Sequence, residues 1–304
     1  MILLGATRFV VYSEDSQILI DLTDFEKYKK LTIETANLLK KDDFLHERGE
    51  TIEHCGDILQ FDNEAKLLSA NFCRQRLCPN CQRRKALKTY SKFKRISEEL
   101  QKQGFAFLHL VLTIKNCEDY ELNETISKLF NASSRLFKKQ DCKRVFKGVL
   151  RCLEVSYSKN DCSFHPHLHC LIAVRKSYFT SRYYLKIEKI RELWQEVLKV
   201  DYLPQVWASR CDENAIAEVA KYSVKPLELD LTDAVKIIVL KHLFCSLHGR
   251  RLLQTYGVIK TTAKALKIDL NEDELESDAT ATSIYSFVYN YKIGKYERSE
   301  FEQK

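Results

Sequence analysis

Residues His165-Pro166-His167-Leu168-His169, running into Cys170-Leu171-Ile172-Ala173-Val174, constrain this chain more than any other stretch. Histidines at alternate positions followed by an apolar run read as a β-strand, in which residues i, i+2 and i+4 share one face. His167 and His169 then project together from one side of a sheet. That spacing suits two imidazoles on one divalent cation. The chain has only eight histidines, so three at this spacing stand out. The plainer reading is a strand whose histidines merely line a polar face. Against it, alternating imidazoles with no adjacent Asp or Glu have little structural use.

At 304 residues the chain can build one large or two modest domains. No apolar run approaches the roughly 20 residues that cross a bilayer. Met1 to Arg8 lacks the basic segment and apolar core of a signal peptide. The expected location is the cytoplasm, where the eleven cysteines are not assumed to form disulfides. The net charge of +7 hides an asymmetry. Residues 1–70 hold fourteen acids against eight Lys and Arg, whereas no acid falls between Ala65 and Ser97. That acid-free window contains Arg74, Arg76, Arg83, Arg84, Lys85 and Lys88. Such a field favours a polyanion, most simply nucleic acid. A solvated helix face is the alternative, but such faces usually interleave both signs.

The same window carries Cys73, Cys78 and Cys81, spaced C-x4-C-x2-C, with Cys55 upstream beside His54. Four thiolates complete a tetrahedral structural zinc site and leave no position open for water. His54 can stand in for Cys55. The competing readings are unmetallated thiols or a redox pair, and the third cysteine and basic flank do not fit a thioredoxin-like setting.

Periodicity predicts helices over 24–41, 82–103, 122–139, 178–199 and 214–225, with further helix over 230–266. It predicts strands over 105–114, 145–157 and 204–210, besides the histidine strand. The chain divides into an arm (1–50), a basic zinc-binding region (51–103), a main domain (104–266) and a tail (267–304). On the helix that Pro226 stops, Glu218, Tyr222 and Lys225 fall on one face. A phenol of reference pKa near 10 is a weak nucleophile unless a cation or base assists it. A cation held by two imidazoles can polarise a phosphodiester, so Tyr222 is the candidate nucleophile for transesterification at DNA. Glu154 is a candidate third ligand, because a turn near Asn160 sets it about opposite His167. His165 competes for that role.

Three motifs, in order, now match a known family. They are Phe107-Leu108-His109-Leu110-Val111-Leu112-Thr113-Ile114-Lys115-Asn116, His165-Pro166-His167-Leu168-His169 and Glu218-Val219-Ala220-Lys221-Tyr222-Ser223-Val224-Lys225. With the cysteine segment, they resemble the replication initiator (Rep) proteins of Gram-positive rolling-circle plasmids, in the HUH endonuclease superfamily. The similarity covers roughly residues 50–260.

The resemblance implies an α+β fold: an antiparallel sheet flanked by helices, with the histidines on a central strand and an N-terminal zinc-binding helical region. It makes the first motif a strand with no chemistry of its own. It implies Mn²⁺ or Mg²⁺ at the histidines and nicking of one strand at the plasmid's double-strand origin. The products are a 5′-phosphotyrosine on Tyr222 and a 3′-hydroxyl primer. In this branch Glu218 activates water at termination. The implied partners are origin DNA, exposed as a hairpin or single strand, and the host helicase and DNA polymerase, with no membrane. The oligomeric state is left open. Cys170 departs from the family's usual aliphatic residue, and its parity turns it to the opposite face of the strand. The rivals are a transposase or relaxase of the same superfamily, a non-catalytic zinc-containing DNA-binding regulator, and a metal-dependent hydrolase that uses water.

Overall fold

The computed structural model describes residues 7–12, 17–211, 231–270 and 285–299. They fall into two compact units, Met1–Arg84 with Asp273–Lys304, and Lys85–Glu272.

In the first unit, strands β1 (Arg8–Tyr12) and β2 (Gln17–Asp21) form an antiparallel pair. Helices Thr23–Leu39 and His46–Glu53 follow, then strands β3 (Ile58–Phe61) and β4 (Leu67–Ala70). The first helix buries Lys29, whose ammonium lies 2.5 Å from Asp57 and donates to the carbonyls of Glu53 and Cys55 at 2.6 and 3.2 Å. A buried ammonium persists only when it is paired and fully hydrogen-bonded. Here those bonds hold in place the turn that carries Cys55.

The next helix, Pro79–Lys102, starts inside the knuckle Cys78-Pro79-Asn80-Cys81 rather than after it. Proline suits a first helical turn, where its missing N–H has no partner to lose. From Lys85 onward this helix belongs to the second unit. It is followed by β5 (Phe105–Thr113), helices Leu122–Lys138 and Gln140–Val145, β6 (Gly148–Ser158) and β7 (Ser163–Arg175). Helix Ile187–Leu198 precedes β8 (Val206–Arg210). Helix Asp233–Leu247, β9 (Leu253–Tyr256) and helix Gly257–Ala265 follow among the described residues. The strands form one antiparallel sheet in the order β8-β5-β7-β6-β9, with the histidine strand β7 at its centre.

Alternation assigns the two faces of this sheet. On one, Phe105, Phe107, Leu150, Cys152, Leu171 and Ala173 pack with Phe93, Ile96 and Leu100 of the long helix and with Ile259 and Ala263. That cover stops partway along the strands, so the same face continues as His109, Val111, Thr113, Glu154, His167 and His169. The opposite face buries Leu110, Leu168, Cys170 and Ile172. Cys170 therefore packs away from the histidines, as its parity predicts, and burial pushes its thiol up to about 12. Trp194 is fully buried and its Nε1–H donates to the Thr113 carbonyl at 2.7 Å, anchoring helix Ile187–Leu198 to the histidine end of β5.

Three segments differ from the sequence expectation. The expected helix over 178–199 begins only at Ile187. Tyr178 lies instead in a 3₁₀ turn, and its hydroxyl accepts the Leu185 N–H, holding 181–186 out of helix. The expected helix over 230–266 is interrupted by β9, which pairs with β6. Gly257 follows β9 at φ +58°, where a Cβ would sit 2.2 Å from the Lys147 carbonyl oxygen, so the chain can turn there only with glycine. The tail is not a separate segment: β10 (Tyr285–Asn290) and β11 (Lys295–Ser299) form a hairpin, and β10 pairs with β3 of the first unit. Tyr285, Phe287, Tyr289 and Tyr296 join Phe9, Ile20, Leu59 and Phe61 in that unit's core. Among the described residues, no helix is long and apolar enough to cross a membrane.

Candidate metal centres

β6 and β7 pair in a register that puts Glu154 directly opposite His167 and Cys152 opposite His169. This is the register that a turn near Asn160 predicts from the sequence. The Glu154 carboxylate lies 2.9 Å from His169 Nε2 and 3.6 Å from His167 Nε2. One ligand atom from each of the three residues lies within 4.8 Å of the others. All three side chains are largely shielded, at 12 to 18% exposure, yet none is sealed. His167 Nδ1 bonds the His165 carbonyl at 3.2 Å, which turns Nε2 toward the carboxylate. Two imidazoles and a carboxylate are a donor set for a divalent first-row cation. The nitrogens favour Mn²⁺ over Mg²⁺ in affinity.

His165 stands apart from this cluster. Its Nδ1–H donates to Asn116 Oδ1 at 2.7 Å, and the Asn116 amide in turn donates to Ser163 and Asp161. Burial, and then the charge of neighbouring His167, hold its pKa below the usual histidine value. His165 thus ties β7 to the segment after β5, where a cleft of about 670 Å³ opens, lined by Lys115, Asn116, His165 and Tyr202.

Sequence reasoning passed over His109, treating its strand as chemically silent. Its Nε2 lies 3.1 Å from His169 Nδ1. The signal was available: His109 shares parity with Val111 and Thr113, which pair with His169 and His167.

In the first unit, Cys55, Cys73, Cys78 and Cys81 converge, with their sulfurs within 4.8 Å of one another. Cys81 Sγ lies 3.6 Å from that of Cys55 and 3.7 Å from that of Cys73. A tetrahedron with Zn–S near 2.3 Å has edges of about 3.8 Å, so these separations fit zinc. Hydrogen bonding to Cys55, then to Cys73 and Cys78, and burial push the Cys81 thiol far up. A cation at the centre reverses that, because it stabilises thiolates. Asn80 donates its side-chain N–H to the Cys55 carbonyl at 2.9 Å, and the Cys73 N–H points at Cys55 Sγ at 3.3 Å. His54 is not part of this cluster: it is two-thirds exposed and bonds Asp57.

A family model described as "Replication protein" (Rep_1) matches residues 64–298. The chain belongs to this replication-protein family. It is 34% identical over 254 residues to "Protein rep" of Streptococcus pneumoniae serotype 2, covering 79% of this chain and 78% of that one. It is 32% identical to "Protein rep" of Lactiplantibacillus plantarum, over 73% of this chain and 76% of that one. A "Protein rep" of Staphylococcus aureus is 34% identical over 58% of this chain and 81% of its own length. No solved structure matches the chain. The family agrees with the resemblance carried by the three motifs, that of a Gram-positive plasmid replication initiator.

The remaining candidates of this replication protein are the Tyr222 face and the basic window. Tyr222, Glu218 and Lys225 lie outside the described residues. Arg74 is exposed at φ +58°, just after Cys73. Arg83 pairs with Asp24 at 2.7 Å. Arg84 is half-buried, and burial lowers its pKa. Arg76, Lys85 and Lys88 are half-buried. The basic window is therefore partly spent inside the fold, in ion pairing and burial that composition alone does not reveal.

Proposed function

We propose that this replication protein nicks one DNA strand at its origin by metal-assisted tyrosine transesterification. The observation that carries the reading is the Glu154–His167–His169 cluster, at the central strand of the sheet, in a chain of this family. A zinc-binding regulator without catalysis has no use for that cluster.

His167, His169 and Glu154 hold Mn²⁺ or Mg²⁺. Bound there, the cation supplies Lewis acidity that offsets charge on a phosphodiester in the transition state. Tyr222 Oη attacks phosphorus. The P–O3′ bond breaks, the phenolic proton ends on the departing 3′-oxygen, and a 5′-phosphotyrosine remains with a 3′-hydroxyl primer. Glu218 serves as general base for water at termination, and Lys225 provides positive charge beside the phosphate. Cys55, Cys73, Cys78 and Cys81 hold a structural Zn²⁺. Arg74, Arg76, Arg83, Arg84, Lys85 and Lys88 supply a basic field near the origin, which the host helicase and DNA polymerase then use. The reaction belongs in the cytoplasm.

The test is incubation with Mn²⁺ and a single-stranded oligonucleotide carrying the origin. A covalent protein–DNA adduct is expected with the native protein, and none with His167→Ala/His169→Ala or after chelation. An adduct that forms equally well in the double variant overturns the role of the cluster. Cleavage that persists in Tyr222→Phe, with no adduct, points instead to a metal-dependent hydrolase.

A further inference from the structure

We infer that His109 is a positioning residue for His169: its Nε2 accepts the His169 Nδ1–H and fixes the tautomer that leaves His169 Nε2 bare for a divalent cation. The inference rests on the ligand reading given under Proposed function.

His109 sits on β5, on the same sheet face as the cluster, and is only 4% exposed. Its Nε2 lies 3.1 Å from His169 Nδ1. The two ring planes are 22° apart and their centroids 5.3 Å apart. That centroid separation is the nitrogen–nitrogen distance plus two ring radii. The rings therefore meet edge to edge, as a hydrogen-bonded imidazole pair, and not face over face. On the other side Trp207 of β8 closes over His109 at a near-perpendicular 80°, with centroids 5.2 Å apart. Trp207 is itself half exposed, so it forms the rim that shields His109.

One proton occupies the contact between two neutral imidazoles, so one ring donates and the other accepts. His169 Nε2 faces Glu154 at 2.9 Å. A cation can take that nitrogen only if the ring's proton is on Nδ1. His169 must then donate to His109, and His109 must carry its own proton on Nδ1. A phenyl ring at position 109 would leave the His169 N–H buried with no acceptor there, which penalises the binding-competent tautomer. Outer partners of this kind orient a ligating histidine and are typically worth 10- to 100-fold in metal affinity. His167 solves the same problem locally, with the His165 carbonyl as its acceptor. His169 uses a side chain from a neighbouring strand.

The experiment measures Mn²⁺ affinity by calorimetry on the chelated, refilled full chain, with ring tautomers read by ¹⁵N-histidine NMR in Mg²⁺. We expect His109→Phe to weaken Mn²⁺ binding 10- to 100-fold, with an unchanged melting temperature in chelator. His109→Gln, whose amide oxygen can accept the same proton, should recover most of that loss. The native protein in Mg²⁺ should show His169 protonated at Nδ1. Binding by His109→Phe within twofold of native overturns the inference. So does a native His169 that is protonated at Nε2 when loaded, a result that needs no variant to fold. If the native protein binds no Mn²⁺ at all, the ligand reading fails instead. In that case the metal-free ¹⁵N spectrum still tests the contact: His169 Nδ1 should show a hydrogen-bonded shift that is lost in His109→Phe, and an unchanged Nδ1 signal overturns the inference.

Discussion

Serine in place of Cys78 tests the four-sulfur cluster. Cys78 is fully buried and its sulfur lies within 4.8 Å of the other three. A hydroxyl there is a poor zinc ligand, and three thiolates around an incomplete site repel one another. Structural zinc in small domains binds with about 10–16 kcal/mol of apparent free energy at neutral pH. Even the weak end corresponds to a dissociation constant of about 50 nM. At about 10 µM free zinc such a site stabilises the folded unit by about 3 kcal/mol. For a unit of this size that shift moves the melting transition by roughly 10 °C or more. Calorimetry should therefore show the native transition falling by that amount after chelation at neutral pH and returning when zinc is restored. Cys78→Ser should melt near the chelated value, with or without zinc. Elemental analysis should find about one zinc per native chain. Coincident melting of chelated and zinc-loaded native protein would refute the reasoning.

Other perturbations have equally definite outcomes. Glu154→Gln should weaken Mn²⁺ binding by about tenfold or more, because it removes the only anionic donor of the set, whereas His165→Asn should leave binding within about threefold; equal losses would make His165 a ligand. Glu26 is nearly buried, and burial raises its pKa. Its ionised form is thus disfavoured in the folded state, and the stability of its neutral form is present below the ordinary value of 4.5 and lost as pH rises. Glu26→Gln should accordingly raise the melting temperature at pH 7 and lose that advantage below about pH 4; a pH-independent gain would contradict this. Leu168→Ala, at a fully buried position behind the histidines, should cost about 2–5 kcal/mol in urea unfolding. Iodoacetamide should label exposed Cys162 and Cys245 in the native protein and spare Cys142 and Cys170, whose buried thiols are pushed up to about 12.

Much of this molecule is legible without coordinates because period-2 alternation is strict where a sheet has one open face. His165, His167 and His169 announce the strand, and the short turn at 158–161 fixes the register that sets Glu154 opposite His167. The cysteine spacing likewise draws Cys73, Cys78 and Cys81 together by local geometry, and Cys55 completes the set. What was not legible depends on partners distant in sequence. Strand β9 holds only four residues, and its place at the sheet edge is set by pairing with β6 and by the steric demand at Gly257, not by its own pattern. The tail hairpin needs β3 as a template more than two hundred residues away. Lys29 looks like a solvated helix lysine until Asp57 and Tyr291 surround it. His109 was read past because a single histidine inside an apolar strand carries no local signature, although its parity pointed to the ligand face.

Peptide mapping of the protein–DNA adduct reaches the central claim most directly. Native protein is reacted with Mn²⁺ and an origin oligonucleotide, then digested with protease and nuclease and sequenced by mass spectrometry. The nucleotide should be found on the peptide that contains Tyr222, joined through its phenolic oxygen to a 5′-phosphate. A nucleotide on any other residue, or an oligonucleotide cleaved under these conditions with no residue modified, would contradict it.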